Sequence, residues 1–450
     1  MKTHSKAWLR GFTALGLLLT IGCGDDDGPP PPTDGGLPTE DATVPDPDGG
    51  LPEPDGGAPD GDVPGDTGEL TMGRLVVADS TAPTAWIFDL DAETPALLET
   101  LTLAAPARAY GTTHGRYAYL LQRTANLVNV IDSGIVFESH VDHFHLDVDD
   151  PEVLSFTMNG MMPTHFTEHD GWVAIFYDGS GDVDLLQQRS LSAGAPTVRT
   201  LATGVAHHGV AVAAAGHLLA SVGVEGEALP TEIGMWEVGA LEGAPEDLFG
   251  PCPGLHGEAA AGDYVLFGCG DGVLVVEAHG DHFHSHKIDN PEGTTEGTRV
   301  GTLVAHGDVF VGNWGQEGFA IVDPVAETIT PVPTGSPVLT FQLDMWGDHL
   351  FVVTADGRLH RFESNGEAHG APIVVSETPF STERGVPRPA LTAGAGRMYL
   401  ALPAAGQVLE VHAEEWEIER TITIPGSPHS VIAVSVSPDW TEEPHDHDHD

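Results

Sequence analysis

Histidine is the residue whose type and spacing could do chemistry in this chain. There are 24 of them in 450 residues. Two stretches repeat one pattern. His140, His143 and His145 share the spacing H-x-x-H-x-H with His279, His282 and His284. In both, an aspartate (Asp142, Asp281) precedes the second histidine and a phenylalanine follows it. On an extended segment, residues two apart face the same way. A turn then folds the first histidine back onto the other two. Three imidazoles bind zinc and leave one tetrahedral position open. The aspartates can ligate, or can accept the second ring N–H and orient the imidazole. The alternative reading of each stretch is a solvated polar loop.

A second set is positional. His165, the pair His207–His208, and His256 each open an apolar segment, with Glu258 two residues after His256. His429 opens a late one. A single such histidine is usually structural, whereas three in successive units point to a shared metal or ligand. His114, His169, His306 and His349 fall in turns and read as turn residues. His445, His447 and His449 alternate with aspartate in a tail that reads as a loose metal-gathering tract. Ordering such a tail costs backbone entropy, so His140, His143 and His145 are expected to form the tight site and the tail the weak one.

The elements that must hold these residues follow from an internal repeat. A short apolar strand, a Gly/Asp/His turn, a longer apolar strand, a second turn and a third strand recur. Units begin near residues 107, 165, 207, 256, 301, 340 and 390, a spacing that suits four-stranded propeller blades. Residues 73–103 form an incomplete unit, and the apolar run starting at His429 supplies its missing strand. The fold class is therefore all-β: a closed β-propeller of eight blades, with seven as the competing count, sealed by a C-terminal strand that removes a free edge. In such a ring the histidines that open innermost strands line the channel.

The chain's address is written in its first residues. Lys2, Lys6 and Arg10 precede a short apolar run ending at Gly22-Cys23. This reads as a lipoprotein signal peptide over 1–22, with Cys23 acylated after cleavage. Thr20 stands where a leucine is usual. Residues 23–70 are rich in Asp, Pro and Gly, contain no Lys, Arg or His, and read as a disordered tether. The propeller then occupies 71–440 and the tail 441–450. This places the body outside the cytoplasm on a bacterial membrane, facing the periplasm or the cell surface. Net charge is −51, from 17 basic and 68 acidic residues, which argues against nucleic acid and anionic lipid surfaces as partners. It suits a collector of cations, and equally a well-solubilised exported protein. Beyond Cys23 only Cys252 and Cys269 remain, and two thiols in an oxidising compartment read as a disulfide. A zinc–thiolate pair is the alternative.

The segments 105–110 (Arg108, Tyr110), 130–135 (Asp132, Gly134), 138–143, 163–171 (His165, His169, Gly171), 207–212, 252–259 (Cys252, His256, Glu258), 269–276 and 356–361 (Asp356, His360) carry a resemblance, in order, across residues 73–435. Together they resemble periplasmic zinc metallochaperones of the AztD type. The resemblance implies a propeller that holds zinc and passes it by direct contact to the solute-binding protein of a zinc ABC importer. It places the family's histidine–aspartate stretch on His140, Asp142 and His143, with His145 where the family pattern has an aspartate. The family's mobile histidine-rich segment near the N-terminus has no counterpart in the tether, and the C-terminal tail is expected to take that role. The second triad and the lipid anchor are further departures. Two other functions compete. A metal-dependent propeller enzyme of lactonase or lyase type would use His165, His208, His256 and Glu258, with Glu258 as acid or base. A metal-free interaction scaffold would leave the duplicated triads unexplained.

Overall fold

In a computed structural model, residues 70–437 are described, apart from Ser80, 140–143, Ala228, Asp281 and 316–317. Eight four-stranded antiparallel sheets follow one another around a ring, and a separate two-stranded hairpin is appended to one of them. The innermost strands are Arg108–Gly111, Pro163–His169, Ala211–Ala214, Glu258–Ala261, Leu303–His306, Val338–Leu343, Ala390–Gly394 and Pro428–Val434. The eight-blade count is borne out, and the expected unit starts lie within a few residues of these strands.

Burial explains the pattern. Second strands such as Tyr117–Gln122 are buried along their whole length, because each blade packs on both faces against its neighbours. Outermost strands such as Glu417–Thr423 bury one residue in seven and are rich in charge. The apolar clusters therefore lie between blades. One joins Leu75, Val77 and Trp86 of the first blade to Tyr399, Val408 and Ile422 of the last.

Ring closure takes the expected form. Pro428–Val434 is the innermost strand of the blade whose other strands are Arg74–Asp79, Thr84–Asp89 and Ala96–Thr102. Arg74 pairs with Val434 and Ala78 with Ser430. Thr71 and Ser437 exchange further bonds: the Thr71 amide donates to Ser437 Oγ at 2.8 Å and the Ser437 amide to Thr71 O at 3.0 Å. Thr71 and Ser437, near the two ends of the described residues, thus lie side by side.

Blade geometry divides the histidines between two faces. Innermost strands all begin on one face, here the lower, and end on the upper. Antiparallel pairing then puts the ends of second strands on the lower face, and the ends of third strands on the upper. Among the described residues no helix is long and apolar enough to cross a membrane.

Candidate metal centre

His165 is the third residue of an innermost strand, Pro163–His169. His208 and His256 lie just before the next two, Ala211–Ala214 and Glu258–Ala261. Three successive blades therefore deliver them to the lower mouth of the channel. His208 Nε2 stands 3.3 Å from His165 Nε2 and 3.1 Å from His256 Nε2. The His165 and His256 rings are farther apart, with centroids at 5.9 Å against 4.9 Å for the other two pairs. Ligands about 2.0–2.1 Å from a tetrahedral zinc stand roughly 3.3 Å from one another. Two edges of the triangle already have that length. The third is longer, and the three Nε2 atoms do not all lie within 4.8 Å of one another, so His165 and His256 must approach each other for one ion to take all three.

The other ring nitrogens fix the tautomers. His208 donates from Nδ1 to Asp178 Oδ2 at 2.8 Å, and His256 from Nδ1 to Gly301 O at 2.6 Å. His165 donates from Nδ1 to Glu258 Oε1 at 3.2 Å. With the three rings neutral, the Nε2 of His208 presents a lone pair to those of His165 and His256, a repulsion that a shared proton or metal cation relieves. Anchoring the far ring nitrogen in this way is the outer shell that zinc histidines require. Asp178 Oδ1 and Glu258 Oε2 are also buried without a hydrogen-bond donor among the described residues. The pocket is rich in acceptors and poor in protons, which fits a divalent cation.

Electrostatics agree with this reading. Burial, together with the charges of His165 and His208, drives His256 down to about 3, so it stays a neutral ligand at any working pH. Burial also pulls His165 down, but the Glu258 carboxylate outweighs it and the net shift is upward. Burial opposes the Asp178 charge, yet the bond from His208 holds its carboxyl below the usual range. Arg123 Nη1 lies 2.9 Å from Asp178 Oδ2 and ties the carboxylate to the preceding blade.

A disulfide braces the same mouth. Cys252 and Cys269 are bonded, with Cα atoms 5.0 Å apart, so the zinc–thiolate alternative is set aside. Cys269 ends the second strand of its blade, and Cys252 lies four residues before His256. The His256 amide donates to Gly268 O at 3.0 Å and the Leu255 amide to Pro230 O at 3.2 Å. The loop carrying His256 is pinned at both sides.

The duplicated motif has a different setting. His279 ends a third strand and His282 begins the fourth, and the two pair directly across a tight turn at Gly280 (φ +64°). His284 pairs with Glu277, so Glu277, His279, His282 and His284 share one face of the hairpin. Ring centroids lie 5.1–5.9 Å apart, and His279 Nε2 is 3.1 Å from Glu277 Oε2. This cluster is exposed on the upper face. Of the first copy's histidines only His145 is described, and it is exposed on an inserted hairpin, Ile135–Ser139 with Phe144–Val148. His140, Asp142 and His143 lie outside the described residues, as do Cys23, His445, His447 and His449.

Three other histidines, His207, His169 and His114, are structural. His207 donates from Nδ1 to Val205 O at 2.8 Å, meets Ser221 Oγ at 2.9 Å and packs edge-on against Phe176. His169 and His114 each bond a backbone carbonyl of a neighbouring blade. Asp178 escaped the sequence reading. Its signal is weak: an aspartate that follows the second strand Trp172–Tyr177, which puts it on the lower face.

Comparison with known proteins follows the same line. No family model matches the chain. It is 27% identical over 389 residues to the zinc chaperone AztD of Citrobacter koseri, an alignment covering 84% of this chain and 90% of that protein. Two solved structures of that AztD, one in the apo form, superpose with TM-scores of 0.73 and 0.74. Both are 25% identical and cover 80% of this chain and 96% of theirs. The dihydro-heme d1 dehydrogenase NirN shares the fold alone, at a TM-score of 0.54 and 13% identity, covering 82% of this chain and 77% of its own.

Proposed function

We propose that this chain, AztD-like in both sequence and fold, is an extracytoplasmic zinc metallochaperone with zinc as its cargo. The observation that carries the proposal is the lower-mouth triad. His208 turns its Nε2 toward those of His165 and His256 while Glu258, Asp178 and the Gly301 carbonyl hold every Nδ1. Pre-oriented imidazoles bind zinc without the ordering cost that a loose tract must meet.

The outer histidines complete the reading. His279, His282 and His284, the motif at His140, Asp142, His143 and His145, and the tail at His445, His447 and His449 are taken as exchangeable zinc sites. We take the channel triad, in place of His140, His143 and His145, as the tight site. The partner is the solute-binding protein of a zinc ABC importer, reached by direct contact. Residues 1–22 act as a signal peptide, Cys23 as the lipid attachment, 23–70 as the tether, 71–440 as the propeller and 441–450 as the tail. The propeller-enzyme reading is less favoured, because the proposed acid or base, Glu258, is buried and bonded to the ligand His165.

Metal analysis of the full chain, purified without a histidine tag, tests the proposal. Zinc should be retained, and replacing His165, His208 and His256 together by Ala should remove the tightest equivalent. A triple variant that keeps it would move the tight site elsewhere, and a zinc-free wild type that takes up none would end the proposal.

A further inference from the structure

The seventh blade carries a cluster that belongs to none of these motifs. His349 begins its second strand, His349–Thr354, and Glu363 ends its third, Arg358–Glu363. The two are direct cross-strand partners, so their side chains leave the same face of the sheet. The chain then reverses. The Glu363 amide donates to Glu367 O and the His369 amide to Arg361 O, both at 2.8 Å. This return sets the His369 ring edge-on to that of His349, with centroids 5.3 Å apart.

One ligand atom from each of His349, Glu363 and His369 can be chosen so that all lie within 4.8 Å of one another. His349 Nε2 is 3.6 Å from Glu363 Oε2, and His369 Nδ1 contacts Glu363 Oε1. Behind them stands a support. His349 donates from Nδ1 to Asp344 Oδ2 at 3.1 Å, which turns Nε2 toward the cluster. Asp344 is buried, and its oxygens accept the amides of Trp346, Asp348 and His349 at 3.2, 2.9 and 3.1 Å. A surface ion pair needs no such backing and contributes little to stability.

We propose that His349, Glu363 and His369 form a separate zinc site on the upper face of the ring. Two imidazoles and one carboxylate suit zinc's ligand preferences, and three protein ligands leave a fourth position for water or an incoming ligand. The ligands are 26–41% exposed, so the site is open to solvent and to a docking protein. Asp344 is its positioning residue, acting through His349. The inference stands apart from the channel triad, which lies on the opposite face.

Zinc chloride titration of the full chain tests it, with His369→Ala and Asp344→Asn as the variants. His369→Ala should bind one zinc equivalent fewer than wild type, with its thermal melt in chelator unchanged. Asp344→Asn should weaken that same equivalent roughly 10–100-fold. Crystals equilibrated with zinc should show an anomalous peak between the three side chains. Equal stoichiometry in His369→Ala, or no peak there while other sites fill, would overturn the proposal. Neither result depends on whether the channel triad binds zinc, because a triad variant can be titrated in parallel.

Discussion

Replacing Asp178 by Asn should weaken the tightest zinc equivalent without changing a ligand. Asp178 Oδ2 receives the Nδ1 proton of His208, and His208 is the apex whose Nε2 faces both other imidazoles. An amide of the same size keeps an acceptor but loses the charge that makes the imidazole a stronger donor to metal. Losing such an outer-shell partner typically costs 10–100-fold in affinity, or about 1.4–2.7 kcal/mol. Asp178 also holds Arg123 at 2.9 Å, so Arg123→Met serves as the control. Arg123 is partly exposed, and its loss should cost under about 1 kcal/mol. Competition against a chromophoric zinc chelator at neutral pH reads the affinity, and thermal melts of the zinc-free proteins read the fold. An unchanged tightest equivalent in a folded Asp178→Asn protein would refute the assignment of the channel triad as the tight site.

Zinc retention should fall as pH drops below neutrality, because Glu258 raises the proton affinity of His165 while His256, at about 3, stays unprotonated; dialysis across a pH series followed by metal analysis reads it, and undiminished binding in acid would contradict it. Burial lifts the Glu168 carboxyl from 4.5 to about 7, so its folded-state pKa lies above its unfolded one and its contribution to stability is lost as pH rises through that window. Glu168→Gln should therefore gain on wild type between those limits, by up to about 3 kcal/mol, and a pH-independent difference in urea melts would count against it. Replacing Cys252 and Cys269 by Ser opens a loop of sequence separation 17 and should cost about 3 kcal/mol in a denaturant melt of the oxidised protein. Arg420→Met leaves the fully buried Glu410, bonded to Arg420 at 2.7 Å, only the more distant Arg397 guanidinium at 3.7 Å, and should destabilise the protein by about 3 kcal/mol, whereas pairing it with Glu410→Gln should recover most of the loss.

The ring itself was legible in the sequence. Strands buried on both faces must be apolar throughout, strands on the rim must be polar, and turns need Gly and Asp, so each blade writes its own local signature. Gly357, at φ +84°, is one such punctuation mark: a side chain there would meet the Ser376 carbonyl at 2.2 Å. The strand at His429 was readable as the missing piece of the first blade because an unpaired edge has to be covered. The second histidine triad was equally local, since its converging face lies within one hairpin.

What the tertiary structure decided was which distant residues meet. His165 and His208 are 43 residues apart, and His208 and His256 are 48 apart; only the rotation from blade to blade brings their Nε2 atoms together. His207 and His208 are neighbours in sequence, yet one turns into the wall beside Ser221 and the other into the channel. Asp178 carries no motif, and it matters because the end of one blade's second strand abuts the start of the next blade's first. His349 reads as a turn residue until the return loop lays His369 beside it. Local patterning encodes strands and turns, but a ligand set drawn from three blades is a property of how those blades are packed around one axis.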